Sequence, residues 1–129
     1  MLQMAPAHCR VTQSDMRLRL GEDYYYPDVM AVCAPEPEDA FHETSPCILV
    51  EVLSDSTKNI DLREKALAYK QIASLQTYLV IDPNSKTVRH FSRNPAGKWE
   101  QEDLEGNSSI ALPCLGGSIA LVDIYRGVL

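Results

Sequence analysis

The stretch Cys47-Ile48-Leu49-Val50-Glu51-Val52-Leu53 is a short apolar run with one carboxylate inside it. Its length and its aliphatic, β-branched content predict a buried strand, stopped by the turn formers Ser54-Asp55-Ser56-Thr57. A second run, Pro27-Asp28-Val29-Met30-Ala31-Val32-Cys33, has the same character and carries its acid at the start. Charges seldom enter such runs, because an unpaired carboxylate is costly to bury unless a cation or hydrogen bonds compensate it. If the two runs pair antiparallel with Asp28 opposite Glu51, Met30 faces Leu49 and Val32 faces Cys47. Directly opposed residues on one face have Cβ atoms about 5 Å apart. Two carboxylates that close do not comfortably both ionise unless something positive lies between them, and a divalent metal with oxygen ligands fits that requirement.

Around this pair the chain alternates between extended and helical patterns. Met16, Leu18 and Leu20 against Arg17 and Arg19 predict a half-exposed strand at the far end of residues 10–20. Gly21 to Tyr26 supplies a turn and a tyrosine cluster, and Ala34-Pro35-Glu36-Pro37-Glu38-Asp39-Ala40 reads as a solvated loop. After the second strand, a helix is expected over about 59–72, with Leu62, Ala66, Tyr69 and Ala73 as its apolar stripe. Thr77 to Asp82 reads as a buried strand stopped by Pro83-Asn84. Lys86 to Arg93 is its hairpin partner, and another strand begins near Gly97-Lys98-Trp99-Glu100. The apolar tail, Ile110 to Pro113 and Ile119 to Tyr125, is expected to pack on the core. Three strands, a helix and three strands give an α/β or α+β domain with a mixed central sheet.

Composition bounds the function. The chain of 129 residues lies in the range of one domain, expected over 1–129. No apolar run is long enough to span a membrane, and Met1 to Arg10 lacks a signal-peptide pattern, so the expected address is cytoplasmic. A net charge of −6 argues against tight non-specific nucleic-acid binding, though acidic metal ligands would add to it. The basic residues are dispersed apart from a modest group at Lys86, Arg89, His90, Arg93 and Lys98. Cys9, Cys33, Cys47 and Cys114 form no closely spaced pair, which speaks against a structural zinc. Cys33 and Cys47 sit at ends of neighbouring strands and could approach each other, but free buried thiols are the expectation.

Among other polar residues, Asp61 and Lys65 stand four apart at the start of the expected helix. Spacing alone favours a helical ion pair, worth about 0.2–0.5 kcal/mol. The functional alternative has Lys65, at the edge of the apolar stripe, reaching the carboxylates and helping to position or deprotonate a water. Ser54 lacks a sequence-adjacent histidine and reads as a turn or cap residue. His8, His42 and His90 show no ligand spacing and are expected at the surface. Tyr24, Tyr25 and Tyr26 could stack on bases, although packing is the commoner fate of such residues. Tyr69 is expected in the core.

Taken together, Pro27-Asp28, the run Pro46 to Ser54, Asp61 and Lys65 with Tyr69, Tyr78-Leu79-Val80-Ile81-Asp82-Pro83 and the closing Asp123 to Val128 resemble the Uma-type family of restriction-endonuclease-like proteins. That group belongs to the PD-(D/E)XK nuclease superfamily, and the resemblance runs from about residue 10 to the end. It implies that Asp28 supplies the aspartate of the PD element and Glu51 the acid of the (D/E)XK element. Both would bind Mg2+ or Mn2+, with the Val52 carbonyl as a further ligand, for hydrolysis of DNA phosphodiesters. The superfamily lysine belongs two residues after the acid, where this chain has Leu53. In this family a lysine of the following helix takes its place, which implies Lys65, with Asp61 orienting it.

Members of the family usually begin with a helix and strands ahead of the first strand seen here, so the resemblance marks this chain as N-terminally shortened. A missing layer would expose apolar surface, and a homodimer is the expected consequence. The leading expectation is a metal-dependent endonuclease acting through Asp28, Glu51 and Lys65. The alternative is a catalytically inactive nuclease-fold binding or scaffold module. A carboxylate-pair glycosidase is a weak third reading, because one tryptophan offers little platform for sugar rings.

Overall fold

The computed structural model describes residues 8–13, 16–35, 42–53 and 59–128, with the backbone alone for 59–61 and 127–128. Its centre is a six-stranded mixed sheet. The strands are β1 (Arg10–Gln13), β4 (Val29–Val32), β6 (Ile48–Val52), β7 (Thr77–Asp82), β8 (Thr87–Arg93) and β9 (Trp99–Leu104), in the spatial order β1-β4-β6-β7-β8-β9. β2 (Arg17–Leu20), β3 (Asp23–Tyr25) and β5 (His42–Glu43) form a smaller sheet in the order β3-β2-β5. The stretch 10–20, which reads as one strand, is therefore divided between two sheets. Residues 14–15, between β1 and β2, lie outside the described residues.

The two acid-bearing runs pair antiparallel in the expected register. Val29 faces Val50, Met30 faces Leu49 and Ala31 faces Ile48. The Cys47 N–H donates to the Ala31 carbonyl at 2.8 Å, extending the pairing beyond the strand end. β6 and β7 are parallel, joined through α1 (Asn59–Tyr69), and β7, β8 and β9 continue antiparallel. The β7–β8 turn is held by Asp82, whose Oδ1 accepts from the Asn84 N–H at 3.0 Å, as an aspartate at a turn start does.

Because strand residues alternate between faces, the central sheet buries a core on each side. Met30, Val32, Leu49, Tyr78, Val80 and Phe91 point toward Tyr69 of α1 and toward Ile72 and Leu75 beyond it. Val29, Ala31, Val50, Leu79, Ile81 and Val88 point to the other side. There they meet β10 (Ser109–Leu112), the 3-10 turn Pro113–Leu115, β11 (Gly117–Ala120) and α2 (Leu121–Val128), through Ile110, Leu112, Ile119, Leu121 and Ile124. The apolar tail thus packs as expected, as a hairpin and a helix.

α1 ends at Tyr69, short of the expected 72. Tyr69 is fully buried and Leu62 and Ala66 are half-buried, but Ala73 is exposed beyond the helix, and Ile72 and Leu75 occupy the core in its place. Arg93 fixes this exit. Its guanidinium donates to the carbonyls of Leu75 (2.7 Å) and Ile72 (2.9 Å) and lies over the Trp99 ring.

The cysteine expectation is corrected. Cys9 is joined to Cys33 and Cys47 to Cys114 by disulfides, and no free thiol remains. Each pairing crosses a long sequence separation, 24 and 67 residues, which spacing along the chain does not reveal. His42 is likewise buried rather than at the surface, edge-on to Tyr24. His90 is half-buried and His8 exposed.

Candidate functional site

Asp28 stands one residue before β4, and the register carries it opposite Glu51, the fourth residue of β6. Both belong to the alternation that points Met30 and Leu49 toward α1. The Asp28 carboxylate is half-buried, and its Oδ2 accepts the Val52 N–H at 2.7 Å. A charge-assisted bond of this kind fixes the carboxylate beside the neighbouring strand.

Glu51 is 6% exposed. One oxygen accepts the Tyr69 hydroxyl at 2.9 Å, and the other lies 3.6 Å from the Lys65 ammonium. Residues 65 and 69 are one helical turn apart on the face of α1 that covers the sheet, so a single helix delivers both contacts. Burial pushes the Glu51 carboxyl above the ordinary carboxylate range. Lys65 opposes that shift most strongly, the Tyr69 hydrogen bond opposes it next, and neighbouring Asp28 adds to it. Burial, followed by the adjacent Glu51 charge, raises the Tyr69 hydroxyl far above the usual phenol range, so it acts as a hydrogen-bond donor.

The structure therefore brings Asp28, Glu51, Val52 and Lys65 together. It pairs Lys65 with Glu51 across elements, whereas the expected orienting role of Asp61 lies outside the described side chains, as does Ser54. Tyr69 is the residue that sequence reading placed only in the core. The available signal was its position four residues after Lys65 on the same helical face.

Across the sheet, register sets Glu51 against Val80, Val80 against Arg89 and Arg89 against Asp103. Arg89 thus shares the α1 face with Glu51. Together with Arg63 and Lys70 of the helix side it lines an open groove floored by Tyr78, Val80 and Phe91. Tyr78 is fully buried, stacked on Phe91 and edge-on to Tyr69, and its hydroxyl has no hydrogen-bond partner among the described residues. A basic-lined groove on the carboxylate side was not visible in a chain of net charge −6, because its cations come from separate elements.

Asp28 and Glu51 offer carboxylate oxygens, the donor type that a hard divalent cation takes. Among the described residues, no helix is long and apolar enough to cross a membrane.

Two uncharacterised proteins of Synechocystis sp., slr1290 and sll1609, are 31% and 33% identical to the chain over 123 and 114 residues. Those alignments cover 93% and 84% of this chain but only 65% and 64% of the relatives, so the chain spans less than two thirds of their length. The crystal structure of a DUF820 protein from Anabaena variabilis, described as a putative nuclease, superposes with a TM-score of 0.71 at 18% identity. That match covers 95% of this chain and 70% of the other, and it establishes a shared mixed α+β, nuclease-like fold. The Uma2 family model, described as "Putative restriction endonuclease", matches residues 2–122. With nearly the whole chain inside that match, this protein belongs to the Uma2 restriction-endonuclease-like family.

Proposed function

We propose that this chain is a metal-dependent endonuclease that hydrolyses DNA phosphodiester bonds at the Asp28–Glu51 centre, the element pattern of residues 1–129 forming one catalytic domain. The observation that carries the reading is the convergence, on one face of the sheet, of Asp28, buried Glu51 and Lys65, with the Lys65 ammonium 3.6 Å from Glu51. Asp28, Glu51 and the Val52 carbonyl are the residues that would hold Mg2+ or Mn2+. When bound, such an ion polarises a phosphoryl oxygen and lowers the pKa of water.

The chain's own residues supply the rest. Asp28 is held in position by the Val52 N–H, which donates to its Oδ2. Tyr69 fixes the Glu51 rotamer by donating to Oε1. Lys65 is 32% exposed, so its ammonium can turn from Glu51 toward an incoming phosphate, offset its charge and hold a proton at Nζ. Arg63, Lys70 and Arg89 provide local positive charge for the nucleic-acid backbone where bulk composition provides none.

Incubation of the full chain with plasmid DNA, with Mn2+ or Mg2+ and with a chelator, tests the proposal. Cleavage that requires the metal and vanishes in Lys65→Ala supports it. Cleavage that persists in the chelator contradicts it. The second reading, a nuclease-fold binding module, draws on the occupation of both Glu51 oxygens by protein partners and on the acidic chain. It predicts metal-independent DNA retention with no cleavage.

A further inference from the structure

The four cysteines of the chain, scattered over more than a hundred positions, form two neighbouring groups that share Cys33. The β1–β4 register, Arg10 against Val32, sets Cys9 directly opposite Cys33. Cys47 enters β6 beside the end of β4, where its N–H bonds Ala31. Cys114 arrives from the 3-10 turn that packs on this side of the sheet. The two disulfides are not separate staples. The Cys33 and Cys47 sulfurs, one from each bridge, lie 3.8 Å apart, and Cys33 Sγ is 3.6 Å from the Cys114 carbonyl. Cys33, Cys47 and Cys114 offer sulfurs all within 4.8 Å of one another, and Cys33 and Cys9 form a second such group with exposed His8.

We propose that these four cysteines form a redox-gated soft-metal site, closed as two disulfides and binding one zinc-class divalent cation when a thiol reductant opens them. Tetrahedral thiolate sites hold the metal at about 2.3 Å, which places ligand sulfurs roughly 3.8 Å apart. The Cys33–Cys47 separation already has that value across the two bridges. Three of the four residues directly flank paired strands of the central sheet, Cys9 before β1, Cys33 after β4 and Cys47 before β6, so strand register rather than a flexible knuckle brings them close. This explains why no short ligand spacing marks it in the sequence. The balance is closed: two protein disulfides and four reductant thiols give four protein thiols and two reductant disulfides. The cation then displaces four thiol protons to solvent. Four soft thiolates select a zinc-class ion over magnesium or manganese.

The cysteine cluster sits at the end of β4 opposite Asp28 and borders the core on the far side of the sheet from α1. It ties the β10–β11–α2 side to the central sheet in either state. The inference is independent of the nuclease reading.

The test reduces the full chain with a thiol, removes the reductant by anaerobic gel filtration and titrates with Co2+. A thiolate-to-cobalt charge-transfer band that saturates at one equivalent, is displaced by Zn2+ and is lost in Cys33→Ser and Cys47→Ser is expected. Asp28→Asn should leave the band unchanged, which separates this site from the carboxylate centre. Thermal unfolding of the reduced chain should shift upward on adding one equivalent of Zn2+. Absence of the band from the reduced wild-type chain, folded or not, or its full retention in either serine variant, overturns the proposal.

Discussion

At the residue scale, Glu51 is the group on which the site turns. Its folded-state pKa lies above the ordinary value of 4.5, chiefly through burial. The folded chain therefore binds this proton more tightly than the unfolded chain does. Its contribution to stability is fully present below about pH 4.5 and is lost as pH rises through the folded value. Glu51→Gln removes that loss, so its stability relative to wild type should rise as pH increases above about 4.5, as read from urea unfolding. A difference that stays constant with pH would contradict the assigned environment. Asp28 acts through a different interaction. Asp28→Ala strands the Val52 N–H and should cost about 1–3 kcal/mol, whereas Asp28→Asn keeps an acceptor there and should stay close to wild type. Lys65→Ala should abolish metal-dependent cleavage while leaving metal affinity intact. If turnover survives, Lys65 is only the ion-pair partner of Glu51.

At the element scale, the paired runs of β4 and β6 were the most legible part of the chain. Apolar runs with a fixed alternation admit one register that buries both faces, and Met30 opposite Leu49 is that register. Leu49→Ala at this fully buried position should cost about 2–5 kcal/mol by equilibrium unfolding. The end of α1 was less legible. Ile72 and Leu75 continue an apolar pattern past the last helical residue, and what stops the helix is tertiary: the Arg93 guanidinium, bonded to the Ile72 and Leu75 carbonyls, comes from β8. Arg93→Ala should destabilise the fold by about 1.5–3 kcal/mol. Arg93→Lys should not restore it, because an ammonium cannot reproduce the planar fork. The division of residues 10–20 between two sheets was hidden for a similar reason. β2 pairs with β3 and β5, partners whose sequences are too short to declare themselves as strands.

At the scale of the whole molecule, what remained illegible is what the fold assembles from distant residues. Four cysteines admit three pairings, and their meeting point depends on the sheet order. The cations Arg63, Lys70 and Arg89 likewise join one groove only after α1 crosses β7 and β8. If that groove carries the nucleic-acid backbone, Arg63→Ala and Lys70→Ala should each weaken DNA binding equally across sequences. Each should also lower the slope of affinity against salt by about one. The large exposed apolar side chains among the described residues, Tyr24, Tyr26, Leu67 and Val122, sit at the β3 end, on α1 and on α2. Sedimentation equilibrium tests the expected homodimer: a two-chain mass supports it, and a one-chain mass at all concentrations contradicts it.

The most direct measurement is calorimetric titration of the full chain with Mn2+, beside Asp28→Asn and Glu51→Gln. Saturable binding of the ion by the wild-type chain, weakened in both variants with the fold retained, is the predicted result. Affinity unchanged in both folded variants would contradict a metal centre at Asp28 and Glu51.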